Sequence, residues 1–144
     1  MAGKLRHIAL SVPDPDAAAT FYEKTFDLTR AREYESDFAK VVYLTDGVMS
    51  LTLLNFKNEV MSGKATHPEG LGKEFVGLHH MGFWVDDVEK TSKLAKENGG
   101  TYIMGEQPGN TDGYYEIKYR DPNSVMFDIT DSGWIGAEKD VDPK

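Results

Sequence analysis

The chain has 144 residues and no cysteine, which suits one domain and excludes thiol catalysis, thiolate zinc sites and disulfide frameworks. Its 24 Asp and Glu outnumber its 16 Lys and Arg, and the resulting net charge of -8 disfavours nucleic acid and anionic membranes as partners. No apolar run approaches the ~20 residues of a membrane helix and no signal peptide is recognisable, so we expect a soluble cytoplasmic protein.

Two segments of the chain repeat one pattern at an offset of 73 residues. The first, HIALSVPDPDAAATFYEK, opens at His7, and the second, HMGFWVDDVEKTSKLAKE, opens at His80. In each, an apolar alternation typical of a strand ends at a Val, and a helical period begins at an Asp two residues later. Asp14 and Asp87 are the predicted N-caps, because a short carboxylate accepts free amide hydrogens at a helix start.

Three shorter strands are predicted after each helix. In the first half they lie at about 28–35, 38–45 and 48–56, with an Asp-Gly turn at 46 and 47, and in the second half at about 101–106, 114–120 and 125–131. The helices are predicted to pack through two apolar stripes, formed by Ala17, Phe21, Tyr22 and Phe26 in the first and by Val88, Leu94 and Ala95 in the second. Each half is therefore predicted to be a βαβββ module of an α+β fold.

We expect one domain over residues 1–144, divided into four parts along the chain. They are module 1 at about 4–56, a linker or flap at 57–76, module 2 at about 77–131 and a tail at 132–144. In the tail, Trp134 is a candidate for docking on the domain, whereas the polar stretch EKDVDPK is expected to fray.

The two modules, each opening with a strand His, resemble the vicinal oxygen chelate superfamily. It includes glyoxalase I, methylmalonyl-CoA epimerase, extradiol dioxygenases and bleomycin-binding resistance proteins. The resemblance covers residues 4–131 and is most specific in RHIALSV, HMGFWVDD and YRDPNSVMFDIT. It implies a glyoxalase/dioxygenase-like pairing of the modules, with curved sheets around a cleft that lies between them, a small-molecule substrate and a homodimer.

The resemblance further implies that a divalent metal ion binds to His7, His80 and Asp128. Strand alternation turns these three side chains away from the apolar faces that meet the helices. The family's fourth ligand position falls on Ser50, or on Leu51 if the register slips by one, and neither binds a divalent cation well. Two His and one carboxylate favour Fe(II) or Mn(II), with Zn(II) or Ni(II) as alternatives.

Three chemistries stay open for such a site. The ligand set favours an Fe(II) dioxygenase, although the family's acid-base His and Tyr are absent before Asp121. The alternative is a lyase or isomerase of the glyoxalase and epimerase type, in which Glu116 acts as the base and Lys118 stabilises oxyanion charge, with Tyr114 on the same face. The third is a binding protein, for example for an antibiotic, whose cleft is lined by the aromatic residues Trp84, Tyr43, Tyr114 and Tyr115.

Two further histidines are given no ligand role. His79 is expected to face away from the cleft and to lie at a rim, because it alternates with His80. His67 lies in the linker and is expected to be a solvated loop residue, unless a flap brings it near the cleft.

Overall fold

The computed structural model describes residues 3–64, 70–105 and 116–141. The first half consists of β1 (Lys4–Ser11), α1 (Pro15–Phe26), β2 (Thr29–Glu35), β3 (Ala39–Thr45), β4 (Ser50–Phe56) and a short α2 (Glu59–Ser62). The second half consists of β5 (Gly77–Trp84), α3 (Val88–Glu97), β6 (Thr101–Met104), β7 (Ile117–Arg120) and β8 (Met126–Thr130). The predicted βαβββ order is confirmed in both halves. No helix in these described ranges has the length and apolar character needed to cross a membrane.

The eight strands of the described residues form one curved sheet in the order β2-β3-β4-β1-β5-β8-β7-β6. At its centre β1 pairs antiparallel with β5, and each of these strands also pairs in parallel with the last strand of its own module. The cleft was expected to lie between two sheets, and this expectation is wrong. Because the β1–β5 pair joins the modules, the cleft lies on one face of a single continuous sheet.

Both predicted helix caps are present. The Asp14 carboxylate accepts a hydrogen bond from the Ala17 N–H at 3.1 Å, and the Asp87 carboxylate accepts one from the Lys90 N–H at 2.9 Å. Pro15 follows Asp14 at the first helical position, where the proline ring fits and no amide hydrogen is needed. The two repeats therefore begin their helices in the same way.

We expect replacement of Asp14 or Asp87 by Ala to lower the free energy of unfolding by about 1 kcal/mol, because the capped amide loses its acceptor. Asn at either position keeps a side-chain oxygen and should cost less. Urea denaturation of the metal-free protein measures both effects. Ala and Asn variants of equal stability would contradict the role of these caps.

The apolar stripe predicted for α1 is wrong for Ala17, Phe21 and Phe26, which are exposed, and right for Tyr22, which packs against the core under the helix. The helix buries Pro15 and Ala19 against the sheet, whereas Phe21 and Phe26 are 57% and 61% exposed. Small residues on the buried face let the helix lie close to the sheet, and the aromatic rings contact one another instead. The cluster under α1 consists of Ala19, Val42, Leu44 and Leu53, with Leu10, Val12, Ala18, Tyr22, Leu28 and Leu51 packed against it.

The stripe predicted for α3 holds in part. Val88 is buried and Ala95 packs against the core of module 2, but Leu94 is 41% exposed. That core contains Val85, Val88, Ile117, Tyr119 and Ile129. The predicted Asp-Gly turn before β4 is confirmed, because Gly47 has a φ of 100° and the Asp46 carboxylate accepts two backbone N–H groups.

Two β-bulges interrupt the central β1–β5 pair. The register skips Arg6 between Leu5 and His7 on β1, and it skips His79 between Leu78 and His80 on β5. A bulge leaves one residue outside the regular alternation and re-aims its side chain. Both bulge residues are buried, and each directly precedes one of the repeated histidines.

Candidate metal centre

The structure brings His7, His80 and Asp128 together on the cleft side of the sheet. Their ligand atoms all lie within 4.8 Å of one another. His7 Nε2 is 3.2 Å from His80 Nε2, which is in turn 3.1 Å from Asp128 Oδ2. All three side chains are buried.

These residues fit a divalent metal ion. Metal–ligand bonds of ~2.0 to 2.2 Å place neighbouring ligand atoms about 3.0 to 3.5 Å apart, which agrees with both separations. Burial, and then the nearby His80, hold the pKa of His7 well below its usual value. Burial, and then Lys118, do the same for the pKa of His80. Both rings are thus neutral near pH 7, the form in which imidazole binds metals.

The fourth ligand position implied by the resemblance is occupied by the hydroxyl group of Ser50, which lies next to that of Thr52. Ser50 Oγ lies 3.3 Å from Thr52 Oγ1, and Thr52 Oγ1 lies 3.2 Å from His7 Nδ1. Leu51 packs with the cluster under α1 instead. Thr52 therefore contacts His7 at the ring nitrogen opposite the cluster, and Ser50 contacts Thr52 in turn. Thr52 was not singled out from the sequence, although it shares a strand face with Ser50.

Lys118 and Glu116 lie beside the cluster, with Lys118 opposite Asp128 in the β7–β8 pair. Lys118 Nζ donates to both Asp128 oxygens, at 2.8 and 2.9 Å, and is 3.6 Å from Glu116 Oε1. Burial alone would lower the pKa of Lys118, but the charges of Asp128 and Glu116 outweigh it and the pKa is raised. Lys118 is therefore a charged ammonium group with only 11% of its side chain exposed.

Trp134 completes the site from the tail. Its ring stacks on His7 with a centroid distance of 4.7 Å and an interplanar angle of 5°, and its Nε1 donates to Glu116 Oε2 at 2.8 Å. A Cβ atom at Gly82 would lie 2.5 Å from the indole, so the glycine makes room for it. Trp134 thus docks, as the sequence suggested, but its contacts with His7 and Glu116 were not foreseen.

Arg6 fixes the tail that carries Trp134. Its guanidinium donates to the carbonyl oxygens of Glu138, Lys139 and Val141, at 2.8, 3.1 and 2.7 Å respectively. The expected fraying of EKDVDPK is therefore wrong for residues 138–141, and residues 142–144 lie outside the described residues.

The pocket above the cluster has a volume of about 160 Å³ and two unlike ends. The polar end contains His7, His80, Glu116 and Lys118. The walls formed by β2, β3, β4 and α2 are apolar and aromatic, with contributions from Tyr34, Phe38, Ala39, Val41, Tyr43, Leu54, Phe56 and Met61. The pocket can therefore hold a polar reacting group and an apolar substituent together.

Of the other residues singled out, Tyr43 lines the pocket, but Trp84 does not. Trp84 lies against Gly133 and donates its Nε1 hydrogen to the Asp131 carbonyl oxygen at 3.0 Å, so its predicted place in the cleft is wrong. The predicted rim position of His79 is also wrong, because this residue is only 3% exposed. Tyr114, Tyr115 and His67 lie outside the described residues.

We expect replacement of both His7 and His80 by Ala to lower the bound divalent metal per chain at least tenfold, because a single carboxylate ligand remains. The measurement is elemental analysis of protein purified without an affinity tag. Tyr43→Phe, in the same pocket but outside the ligand set, is the control and should keep its metal. Unchanged metal content in the double variant would refute the ligand set.

Comparisons with known proteins agree on one family. The Glyoxalase/Bleomycin resistance protein/Dioxygenase superfamily matches residues 4–129. The ethylmalonyl-CoA/methylmalonyl-CoA epimerase of Cereibacter sphaeroides is 30% identical over 118 residues, which are 75% of this chain and 80% of that protein.

Solved structures of epimerases share the fold. A variant of Streptomyces coelicolor methylmalonyl-CoA epimerase, in complex with 2-nitronate-propionyl-CoA, is 18% identical with a TM-score of 0.68, covering 90% of this chain and 94% of that one. The methylmalonyl-CoA epimerase from Mycobacterium tuberculosis is 17% identical with a TM-score of 0.63, covering 87% and 85%. At such identities the likeness concerns the fold alone.

Proposed function

We propose that this chain, which belongs to the Glyoxalase/Bleomycin resistance protein/Dioxygenase superfamily, is an epimerase. The proposed enzyme depends on a metal ion and acts on a 2-substituted acyl-CoA thioester. The observation that carries the proposal is a carboxylate, Glu116, that lines one pocket together with the Lys118 ammonium group and two of the three clustered metal-type ligands, His7 and His80. The ligand set alone favours ring cleavage by a dioxygenase. The similarity to a curated epimerase supports the isomerase alternative better.

His7, His80 and Asp128 are the residues that would hold the ion. A divalent ion bound there would act as a Lewis acid toward the thioester carbonyl and make the hydrogen on C2 more acidic. We favour no single metal among Fe(II), Mn(II), Zn(II) and Ni(II). Lys118 donates to both oxygens of Asp128 and so keeps this carboxylate in place.

Glu116 is the proposed base. Its carboxylate takes the proton from C2, and the electron pair of the broken C–H bond moves toward the thioester carbonyl oxygen. Water then supplies a proton to the opposite face of the planar carbon, which gives the epimer, and the proton on Glu116 is released to water, so no oxidant is consumed. Trp134 holds Oε2 of Glu116, and Lys118 lies near Oε1, where its charge also stabilises negative charge on the substrate.

The pocket and its rim support a substrate of this class. The apolar wall can accept an alkyl substituent on C2, while the polar end faces the oxygens. Two cations border the rim: Arg32 lies 5.6 Å from the ring centroid of Tyr34, and Lys57 Nζ, which is paired with Glu35 at 2.8 Å, donates to the Ser36 carbonyl at 2.6 Å. A carrier that bears phosphates would meet these positive charges as it leaves the cleft.

The proposal is tested by a proton-exchange assay without oxygen and by a separate aerobic assay of oxygen uptake with catechols. Methylmalonyl-CoA and ethylmalonyl-CoA are incubated in D2O with protein reconstituted with each metal, and loss of the C2–H signal is followed by NMR. We expect exchange that chelation abolishes, and no oxygen uptake with catechols. Oxygen uptake with catechols but no exchange would restore the dioxygenase alternative. No turnover in either assay, with tight binding of apolar ligands, would favour the binding protein.

We also infer that the chain forms a homodimer. The outer face of the β1–β5 pair exposes apolar side chains that neither α1 nor α3 covers, namely Leu5, Ile8, Leu78, Met81 and Val125. A second copy related by a two-fold axis could cover this face with the same residues. Light scattering at micromolar concentration should report twice the chain mass, and Leu78→Glu should lower it to that of a monomer. A wild-type monomer would contradict this prediction.

A further inference from the structure

His79 connects His80 to α2. Its Nδ1 lies 2.7 Å from His80 Nδ1, and its Nε2 lies 2.6 Å from the carbonyl oxygen of Ser62, the last residue of α2. The ring also contacts Phe56, with a centroid distance of 4.7 Å, and is almost fully buried. Both ring nitrogens therefore have one defined partner each.

The carbonyl oxygen decides which nitrogen of His79 carries the hydrogen. A carbonyl can only accept, so His79 Nε2 must be protonated in order to donate to Ser62. The ring is buried and its two hydrogen-bond partners, the Ser62 carbonyl and the His80 ring, are not anionic, so a neutral ring fits this environment. Its Nδ1 is then an acceptor, and the hydrogen between the two rings belongs to His80 Nδ1.

The same reasoning extends to the far side of His80. With its hydrogen on Nδ1, a neutral His80 has a lone pair on Nε2. That nitrogen faces His7 Nε2 and the Asp128 carboxylate, at 3.2 and 3.1 Å. A lone pair that faces a carboxylate oxygen at this distance is suited to a cation between them.

We propose that His79 is a positioning residue that fixes the tautomer of His80. Its Nε2 donates to the Ser62 carbonyl and its Nδ1 accepts from His80, so His80 carries its hydrogen on Nδ1 and can bind a metal through Nε2. The proposal rests on the metal site proposed above, but on neither the substrate nor the reaction. Free neutral histidine has no partner that selects this tautomer. The β-bulge at His79 is what turns its ring toward His80 instead of across the sheet.

The tautomer is measured directly in metal-free protein by the ¹⁵N shifts and two-bond proton couplings of the His80 ring. The test variants are His79→Phe, which keeps the ring volume but no ring nitrogen, and His79→Asn, whose Oδ1 can accept from His80. Ser62→Ala keeps the carbonyl and is the matched control. Metal dissociation constants are measured for all four proteins by competition with a chromophoric chelator.

We expect wild type, His79→Asn and Ser62→Ala to hold His80 with its hydrogen on Nδ1. His79→Phe should move the hydrogen to Nε2 and raise the metal dissociation constant by about 10- to 100-fold. A wild-type His80 with its hydrogen on Nε2 would overturn the proposal even if His79→Phe fails to fold. Unchanged tautomer and affinity in His79→Phe would overturn it as well.

The outcome is separable from that of the proposed function. The tautomer is read without substrate and without metal, so a negative exchange assay with acyl-CoA leaves it untouched. Conversely, an epimerase whose His80 carries its hydrogen on Nε2 would leave the function standing and remove the role of His79.

Discussion

Glu116→Gln should lower the rate of C2 hydrogen exchange by about 10²- to 10⁴-fold, the range over which a positioned general base acts. The amide has the size of the carboxylate, and its oxygen can still accept the hydrogen bond from Trp134, so the pocket keeps its shape. What is lost is the group that takes the proton. The rate is measured by NMR in D2O with saturating acyl-CoA, and metal content is measured on the same sample.

The control for this variant is Trp134→Phe. It leaves Glu116 in place, removes the 2.8 Å hydrogen bond to Oε2 and replaces the indole that stacks on His7 by a smaller aromatic ring, so the exchange rate should fall by much less than in Glu116→Gln. Metal content should stay the same in both. If Glu116→Gln keeps more than a tenth of the wild-type rate, another group is the base and the assignment fails.

Lys118→Met should lower the free energy of unfolding of the metal-free protein by about 3 to 5 kcal/mol, the usual result of removing one partner of a buried ion pair. Asp128 is fully buried, and Lys118 donates to both of its oxygens. The neighbouring His80 is neutral and does not compensate the charge. Urea denaturation in the presence of a chelator measures the loss.

Two controls separate the charge from the packing. Adding Asp128→Asn to Lys118→Met removes the uncompensated carboxylate and should recover most of the stability. A divalent metal should raise the stability of Lys118→Met more than that of wild type, because the ion replaces the missing positive charge beside Asp128. A Lys118→Met protein as stable as wild type without metal would show that Asp128 does not depend on the ammonium group.

The local rules of strand and helix were sufficient for the main architecture. Asp14 and Asp87 cap their helices because capping depends on a few neighbouring atoms, which the sequence contains. The offset between His7 and His80 located two equivalent strands, and the period of two placed Asp128 on their side of the sheet. These predictions needed short-range geometry, one repeat and, for the choice of Asp128, the resemblance to a known family.

Features that depend on distant contacts were not predictable in this way. His79 was placed at a rim because regular alternation was assumed, and a bulge is not visible in the residue pattern. Trp134 lies in a segment without periodicity, and its position is set by Gly82 and by the distant Arg6. In α1, Phe21 and Phe26 look like a core stripe, but the closer packing of Ala19 decides which face is buried.

The two bulge residues hold their partner segments through the main chain. Arg6 donates to the carbonyl oxygens of residues 138, 139 and 141, and His79 donates to that of Ser62. Every residue type offers the same carbonyl oxygen, so the side chains of these two segments can vary among related proteins without loss of either contact. We therefore expect Arg6 and His79, which donate these hydrogen bonds, to be the residues under selection. A comparison of the sequences of α2 or of the tail would not reveal that either segment holds the site together.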